Sequence, residues 1–352
     1  MTNITEIKEQ LSLLKQEAYI KQEQNTLPTK IESTIGFLNN CAVSLRFVLS
    51  EKENILFAVL SVVIISLVYF FGIQILDWIP EDIMADSSNN KDNILLDVII
   101  TIWSFLCVGI AAYPLGILTA CMGASYLLRF TGNTSSIVEC IKIAMPRAGT
   151  IGIFSWIDGW WTFVRILERL PKKNDRTPLT TKLRNEAIYQ TWKAASLGFI
   201  PALICGRSLS EACQDSLSLL SKRFSILVKL RIGYSIICWI VGIGTYIGIH
   251  YLLFYLPLNH QIHPFYFVVG LPISIALIII MVIFRPLYII AACRIYAFYI
   301  REKNIPIRLP QPSSKFFNSL VAFGILVLIV GTLYLYRNEL GEYLFPLIRN
   351  SK

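Results

Sequence analysis

Long apolar runs constrain this chain more than any other feature of its sequence. Residues 55–79, 94–113, 231–256, 265–284 and 316–336 are each long enough to cross a bilayer core of about 30 Å, which takes roughly 20 residues of helix. Only 16% of residues are charged, whereas soluble domains are about a quarter charged. The ten-residue alternation of an outer-membrane barrel is absent, so helices must satisfy the backbone in lipid. The sequence predicts an all-α polytopic membrane protein with five transmembrane helices.

The distribution of Lys and Arg predicts the orientation of these spans. Residues 129–193 carry eleven Lys and Arg against five Asp and Glu, which places this segment in the cytoplasm, whereas the acidic loop 80–93 belongs outside. No cleavable secretory signal is visible at the start of the sequence. We therefore expect a retained, cytoplasmic N-terminus and a multi-pass protein of the cell membrane.

Two stretches inside the basic segment, 149–167 and 187–206, are also near spanning length. If both crossed the bilayer, the basic residues between them would be forced to the outer side, which is unfavourable. We therefore expect two interfacial or re-entrant helices with Trp and Arg at the level of the lipid headgroups. Two further spans, which would give seven transmembrane helices, are the alternative.

One motif occurs twice in the chain. Residues 114–121 read Pro-Leu-Gly-Ile-Leu-Thr-Ala-Cys and residues 286–293 read Pro-Leu-Tyr-Ile-Ile-Ala-Ala-Cys, with five of eight positions identical at an offset of 172. The same offset places Cys41-Ala42-Val43-Ser44-Leu45 over Cys213-Gln214-Asp215-Ser216-Leu217. Two matches at one offset predict an internal repeat, and the charge pattern makes its two copies parallel. Pro114 and Pro286 each remove a backbone donor, so we expect a helix kink in each copy.

These signals divide the chain into five segments. A cytoplasmic amphipathic helix (1–30) precedes the first membrane repeat (31–130), and a basic, Trp-rich interfacial segment (131–207) precedes the second (208–310). A final transmembrane helix and tail follow (311–352). Ser208 and Glu211 have the spacing of a capping box, which predicts that an amphipathic helix begins there.

The candidate binding residues lie in the basic segment. Trp anchors at the membrane interface and Lys and Arg attract anionic headgroups, so lipid or a protein partner is the predicted ligand. The set consists of Trp156, Trp160, Trp161, Arg165, Arg169, Lys172, Lys173, Arg176, Lys182 and Arg184.

No catalytic or metal-binding motif accompanies these residues. His260 and His263 lack a third ligand, and no aromatic-basic nucleic-acid motif is present, so we expect no enzyme, no cofactor, no metal and no nucleic-acid partner. The eight cysteines form no C-x-x-C pair and are interpreted as small buried hydrophobic residues without disulfides. Asp97, Arg285 and Arg294 lie near the ends of their spans, where we expect them to reach water.

One part of the chain resembles a known family. Phe199-Ile200-Pro201-Ala202-Leu203, followed by the segment from Ser208 to Ser216 and then by a basic turn and a span, resembles the integral membrane domain of some glycerophosphodiester phosphodiesterases and its stand-alone relatives. The likeness covers roughly residues 190–300. It implies a bacterial inner-membrane protein, and because the soluble phosphodiesterase barrel has no counterpart here, no catalytic residue is carried over.

Two functional hypotheses follow from the sequence. The first is a non-enzymatic membrane module that organises anionic lipid, or a membrane or cytoplasmic protein partner, from the cytoplasmic face. The second is a small transporter or channel built from the two parallel repeats, with a kinked helix in each.

Overall fold

The computed structural model describes residues 34–73, 94–169, 178–255, 270–303, 324–325, 327–333, 335–336, 339–340, 343 and 346. The predicted amphipathic helix in 1–30 and the loops 80–93 and 257–264 lie outside the described residues, and about half of the predicted span 316–336 is described. Within the described ranges, every regular element is helical.

Ten α-helices make up the described chain. They are α1 (Thr34–Ser50), α2 (Lys52–Ile73), α3 (Ile94–Phe130), α4 (Ile137–Ala144), α5 (Ala148–Arg169), α6 (Leu179–Ser196), α7 (Phe199–Ile204), α8 (Leu209–Tyr255), α9 (Leu271–Ile279) and α10 (Arg285–Glu302). A 3₁₀ turn (Met145–Arg147) precedes α5, and a π-helical turn (Ile280–Phe284) joins α9 to α10.

Among the described residues, four helical stretches are long and apolar enough to cross a membrane, as a multi-pass membrane protein requires. They are Lys52–Gly72, Leu96–Phe130, Leu209–Leu252 and Leu271–Glu302. Each overlaps one of four of the five predicted spans, and three extend well beyond it. Helix α8 contains 47 residues and is therefore about 70 Å long, more than twice the thickness of a bilayer core.

The structure places two helix boundaries differently from the sequence. Helix α3 runs without a break through Pro114 to Phe130, although its predicted span ends at residue 113. Helix α8 covers the amphipathic stretch that begins at Leu209 and the predicted span 231–256, and it is kinked between them at the non-helical residue Arg223. Neighbouring turns of a long helix protect their own backbone hydrogen bonds, so a change in amphipathicity need not end the helix.

The chain divides into two compact units. Unit 1 consists of residues 1–60, 118–144 and 176–311, and unit 2 of residues 61–117, 145–175 and 312–352.

In unit 1, the interior lies around α10. Helix α1 packs on α10, and α8 packs on α6, α7, α9 and α10. The C-terminal part of α3 runs beside α10 in the same direction, since Thr119 bonds to Arg285 and Phe130 contacts Phe298. Between these points a Cβ atom on Gly123 would lie 2.9 Å from Cys293 Sγ, so only a glycine permits this close approach. All side chains from Ile289 to Ile300 are buried.

In unit 2, α5 packs antiparallel on the apolar part of α3 through glycines. A Cβ atom on Gly109 would collide with the Trp156 ring, one on Gly116 with Ser155, and one on Gly152 with Tyr113. Small residues let two helices approach closely, as in membrane helix pairs.

Local sequence explains where several helices of unit 1 begin and end. Gly132 (φ 87°) follows α3 and Gly206 (φ 82°) follows α7, and both adopt the left-handed conformation that ends a helix and favours glycine. The predicted capping box is confirmed: the Ser208 amide donates to Glu211 Oε2 at 2.8 Å, and the Glu211 amide donates to Ser208 Oγ at 3.3 Å.

Candidate functional site

The interior of unit 1 contains a fully buried arginine. Arg294 is 1% exposed, although its position near the end of a span predicted access to water, and that prediction is wrong. Helix α10 lies at the centre of unit 1 with α1 packed against it, so the end of the span is covered by protein. The guanidinium lies 5.6 Å from the centre of the Phe298 ring, a cation–π contact.

Cys41 on α1 lies close enough to Arg294 for the guanidinium charge to affect the pKa of its thiol. Burial raises the pKa of the Cys41 thiol, and the Arg294 guanidinium opposes this rise. The cation therefore lies near the contact between α1 and α10.

A second polar contact joins α2 to α3 inside unit 1. The Ser125 hydroxyl is 2.9 Å from Asn54 Oδ1 and 2.8 Å from the Met122 carbonyl, and both Ser125 and Asn54 are fully buried. Asn54 Nδ2 has no hydrogen-bond partner among the described residues, nor have the side-chain nitrogen and oxygen of the buried Asn40 on α1. Unsatisfied buried amides are uncommon and destabilising.

Glu51, in the one-residue break between α1 and α2, forms an ion pair with Arg129 and also accepts a hydrogen bond from Ser135. Arg129 Nε donates to Glu51 Oε1 at 3.0 Å, and Ser135 Oγ donates to Glu51 Oε2 at 2.8 Å. Arg129 Nη2 also approaches Oε2, at 3.4 Å. The Glu51 side chain is 13% exposed, so this pair is shielded better than an ordinary surface salt bridge.

A similar set of charges surrounds the first half of α8. Arg207 Nε pairs with Asp215 Oδ2 at 3.2 Å, and the Tyr296 hydroxyl donates to the same oxygen at 3.1 Å. Further along α8, Arg223 pairs with Glu302 at the end of α10. These contacts tie the amphipathic half of α8 to α10.

The cysteines beside these charges are inert thiols. Burial, together with the nearby carboxylates of Glu53, Glu139 and Glu51, raises the pKa of Cys140 to about 12. Burial likewise raises the pKa of Cys205 to about 12, which Arg207 opposes and Asp215 favours. All eight cysteines are free, four are buried as predicted, and Cys213 is exposed instead. A nucleophilic role needs a lowered pKa, which neither Cys140 nor Cys205 has.

In unit 2 the structure brings two of the predicted lipid-binding tryptophans together. Both Trp156 and Trp160 pack on Phe105 of α3, with ring centroids 4.8 Å and 5.0 Å from it, and Trp156 Nε1 donates to the Phe105 carbonyl at 3.0 Å. Trp161 is half-buried. Both Trp156 and Trp160 thus hold α5 on α3, whatever lipid they also touch.

The predicted basic residues have different surroundings. Arg165 pairs with Glu168 on the same helix, whereas Lys182 and Arg184 on α6 are exposed. Lys172, Lys173 and Arg176 lie outside the described residues, as do His260 and His263, and the side chain of Arg169 is not described.

The two repeated prolines lie in different helical settings. Pro114 lies inside the continuous helix α3, whereas Pro286 lies in the first turn of α10, directly after the π-helical turn. In the described ranges, no group of three or more His, Cys, Asp and Glu side chains is placed to hold a metal ion.

No protein-family model matches the chain, and comparisons with curated proteins and with solved structures find no similar protein. The resemblance of residues 190–300 to a phosphodiesterase membrane domain therefore stays a prediction.

Sequence reasoning missed most of the polar contacts in unit 1. Glu51, Asn54, Ser125, Arg129 and Tyr296 stand near span ends, where single polar residues are ordinary.

Proposed function

We propose that the protein is a non-enzymatic multi-pass membrane module that binds and organises anionic lipid through two surfaces within residues 148–196, one on α5 and one on α6. The observation that supports this most is the two-faced character of α5. One face is held against α3 by Trp156 and the glycine contacts, whereas Ile153 and Ile157 lie off this face and are exposed, as are Ile166 and Leu167 towards the end of the helix.

The position of α5 along α3 supports contact with acyl chains. Residues 151–160 of α5 lie beside residues 105–116 of α3, which include part of the apolar run 94–113. At that depth, an exposed isoleucine faces hydrocarbon if α3 crosses the bilayer. Helix α5 is unbroken over 22 residues, about 33 Å. Because helices of this length also lie on membrane surfaces, we infer insertion of α5 in the bilayer from its place beside the apolar run of α3.

Helix α6 supplies the headgroup contact in this proposal. Lys182 and Arg184 are exposed, and so are the neighbouring Leu183 and Ile188. A mixture of exposed cations and aliphatic side chains is typical of helices at the lipid interface. Each Lys or Arg near an anionic surface contributes about 1 kcal/mol of attraction.

Binding to vesicles tests this proposal. We expect that replacing Lys172, Lys173, Arg176, Lys182 and Arg184 by Gln weakens association of the purified protein with anionic over zwitterionic lipid by at least about tenfold. The matched control replaces Lys222 and Arg301, both exposed, by Gln. The proposal would be contradicted if the variant with five replacements kept its preference for anionic lipid. It would also be contradicted if the control lost as much affinity for anionic lipid per removed charge.

A second measurement separates insertion of α5 from binding to the surface. Single cysteines at positions 173, 260 and 308 can be labelled from each side of the membrane. Labelling of position 173 from the side opposite to position 308 is expected if α5 crosses the bilayer. Labelling of both positions from the same side would instead favour the interfacial arrangement.

A transporter or channel built from two parallel repeats is the second candidate. It is favoured by the parallel course of α3 and α10, which carry the two copies of the repeated motif. Cys121 and Cys293, the last residues of the two copies, are both fully buried. Transport predicts that at least one of them becomes open to a thiol reagent during substrate flux, and protection of both under all conditions would count against a path there.

A further inference from the structure

Two irregular points of the helices in unit 1 occur at the sequence offset of the repeated motif. Helix α1 is separated from α2 at Glu51, and α8 has its non-helical residue at Arg223 (φ −125°, ψ 30°), which is 172 residues later. The helices that carry the motif end at Phe130 and at Glu302, again 172 residues apart.

Both irregular points are bound by an ion pair to the end of the following membrane helix. Glu51 pairs with Arg129, one residue before the end of α3, and Arg223 pairs with Glu302, the last residue of α10. The charges are exchanged between the two pairs, because the acid lies at the break in the first and at the helix end in the second. The side chains are 13% to 37% exposed, so neither pair is simply a solvated surface contact.

Burial follows the same register on both sides of the breaks. Before them, Ser44 and Phe47 are buried on α1, and so are Ser216 and Leu219 at the matching positions of α8. After them, Asn54 and Ala58 of α2 match Ile226 and Leu230 of α8, which are also buried. The segment before each break is amphipathic and the segment after it lies in a candidate span.

We propose that the two ion pairs are matched latches. Each one closes a hinge at which an amphipathic helix, α1 or residues 209–222 of α8, meets its membrane helix. Opening one latch lets that amphipathic helix tilt about Glu51 or Arg223 while the span beyond it stays in place. This device does not depend on lipid binding by residues 148–196.

Amide hydrogen exchange of the full chain in lipid nanodiscs tests the latches separately. Glu51→Gln is expected to raise exchange at residues 49–55 about two- to fivefold, as for loss of a partly shielded ion pair, and to leave residues 221–227 unchanged. Glu302→Gln is expected to raise exchange at residues 221–227 and to leave residues 49–55 unchanged. Exchanging the charges, with Glu51→Arg and Arg129→Glu in one protein, is expected to restore most of the protection at 49–55.

Neighbouring charges provide the controls. Arg46 and Arg301 are exposed and lie beside the two latches, so Arg46→Gln and Arg301→Gln are expected to leave exchange unchanged at both breaks. Ser135→Ala removes only one of the hydrogen bonds to Glu51 and is expected to give a smaller rise at 49–55 than Arg129→Gln.

The pattern of exchange decides the outcome. A rise confined to the matching break in each variant supports the latches. No rise at 49–55 with Glu51→Gln, Arg129→Gln and Ser135→Ala overturns the proposal, and so does an equal rise at both breaks. If Glu51→Gln unfolds the protein, Ser135→Ala and Arg46→Gln are compared instead. A rise in exchange at residues 49–55 for Ser135→Ala alone supports the latch, and a rise for both variants or for neither contradicts it.

Discussion

In unit 1, the residues around Asn54 and Ser125 and the residues 172 positions later share a pattern of buried positions but differ in the polarity of the buried side chains. At the offset of 172 residues, Met122 matches Arg294, and both side chains are fully buried. Asn54 and Ser125 bond to each other, whereas the matching Ile226 and Ala297 are apolar. The comparison teaches that the spacing of buried positions sets how these helices pack. The polarity of the side chain at each position varies independently.

The largest expected effect concerns Arg294. We expect Arg294→Ala to lower the free energy of unfolding by about 2–5 kcal/mol, because it removes a long buried side chain and its contact with Phe298. Arg294→Met introduces the residue of the matching position and retains much of the volume, so its loss should be smaller. Titration with SDS in mixed micelles measures both. Equal losses for Ala and Met would show that the charge matters more than the bulk, contrary to the comparison.

An intermediate effect is expected at the contact between Asn54 and Ser125. Ser125→Ala should cost about 1–3 kcal/mol of unfolding free energy, because it leaves the buried Asn54 carbonyl oxygen without its donor. Asn54→Leu combined with Ser125→Ala makes the pair apolar, like Ile226 and Ala297, and should recover most of that loss. A double-mutant cycle measures the coupling between the two sites. Strictly additive losses would mean that the hydrogen bond contributes nothing measurable.

The smallest effect is on thiol reactivity and leaves the fold unchanged. Cys213 is exposed and should react with iodoacetamide at pH 8 faster than the matching Cys41, whose pKa is raised by burial. Cys140 and Cys205 should stay unmodified until the pH approaches about 12. Because their pKa values rise on folding from about 9, the stability that these thiols contribute is present below pH 9 and is lost between pH 9 and about 12. Mass spectrometry of each modified cysteine checks this order, and rapid modification of Cys140 at pH 8 would contradict it.

Helix class and several helix ends could be predicted from the sequence because they depend on local patterns. Apolar runs predicted four stretches that the structure contains as helices, and the spacing of Ser208 and Glu211 predicted a capping box that is present. The fifth predicted span is only partly described, and both it and the repeat stay predictions.

The contacts of the candidate sites could not be predicted, because they depend on which helices become neighbours. The burial of Arg294 results from α1 packing on α10, and nothing in the residues around Arg294 indicates that neighbour. Similarly, Trp156 and Trp160 have the composition of interfacial anchors, but they pack on Phe105, about 50 residues earlier in the chain.

The π-helical turn before Pro286 has a consequence for how α10 is oriented. A π turn holds roughly one residue more than an α turn, so it changes the rotational phase of everything that follows. If the same five residues, Ile280–Phe284, were α-helical instead, α10 would be rotated by about 90° relative to α9. Arg294 would then leave the interior and a neighbouring face would replace it. The π-helical geometry of this short turn therefore determines which face of α10 lies inside unit 1.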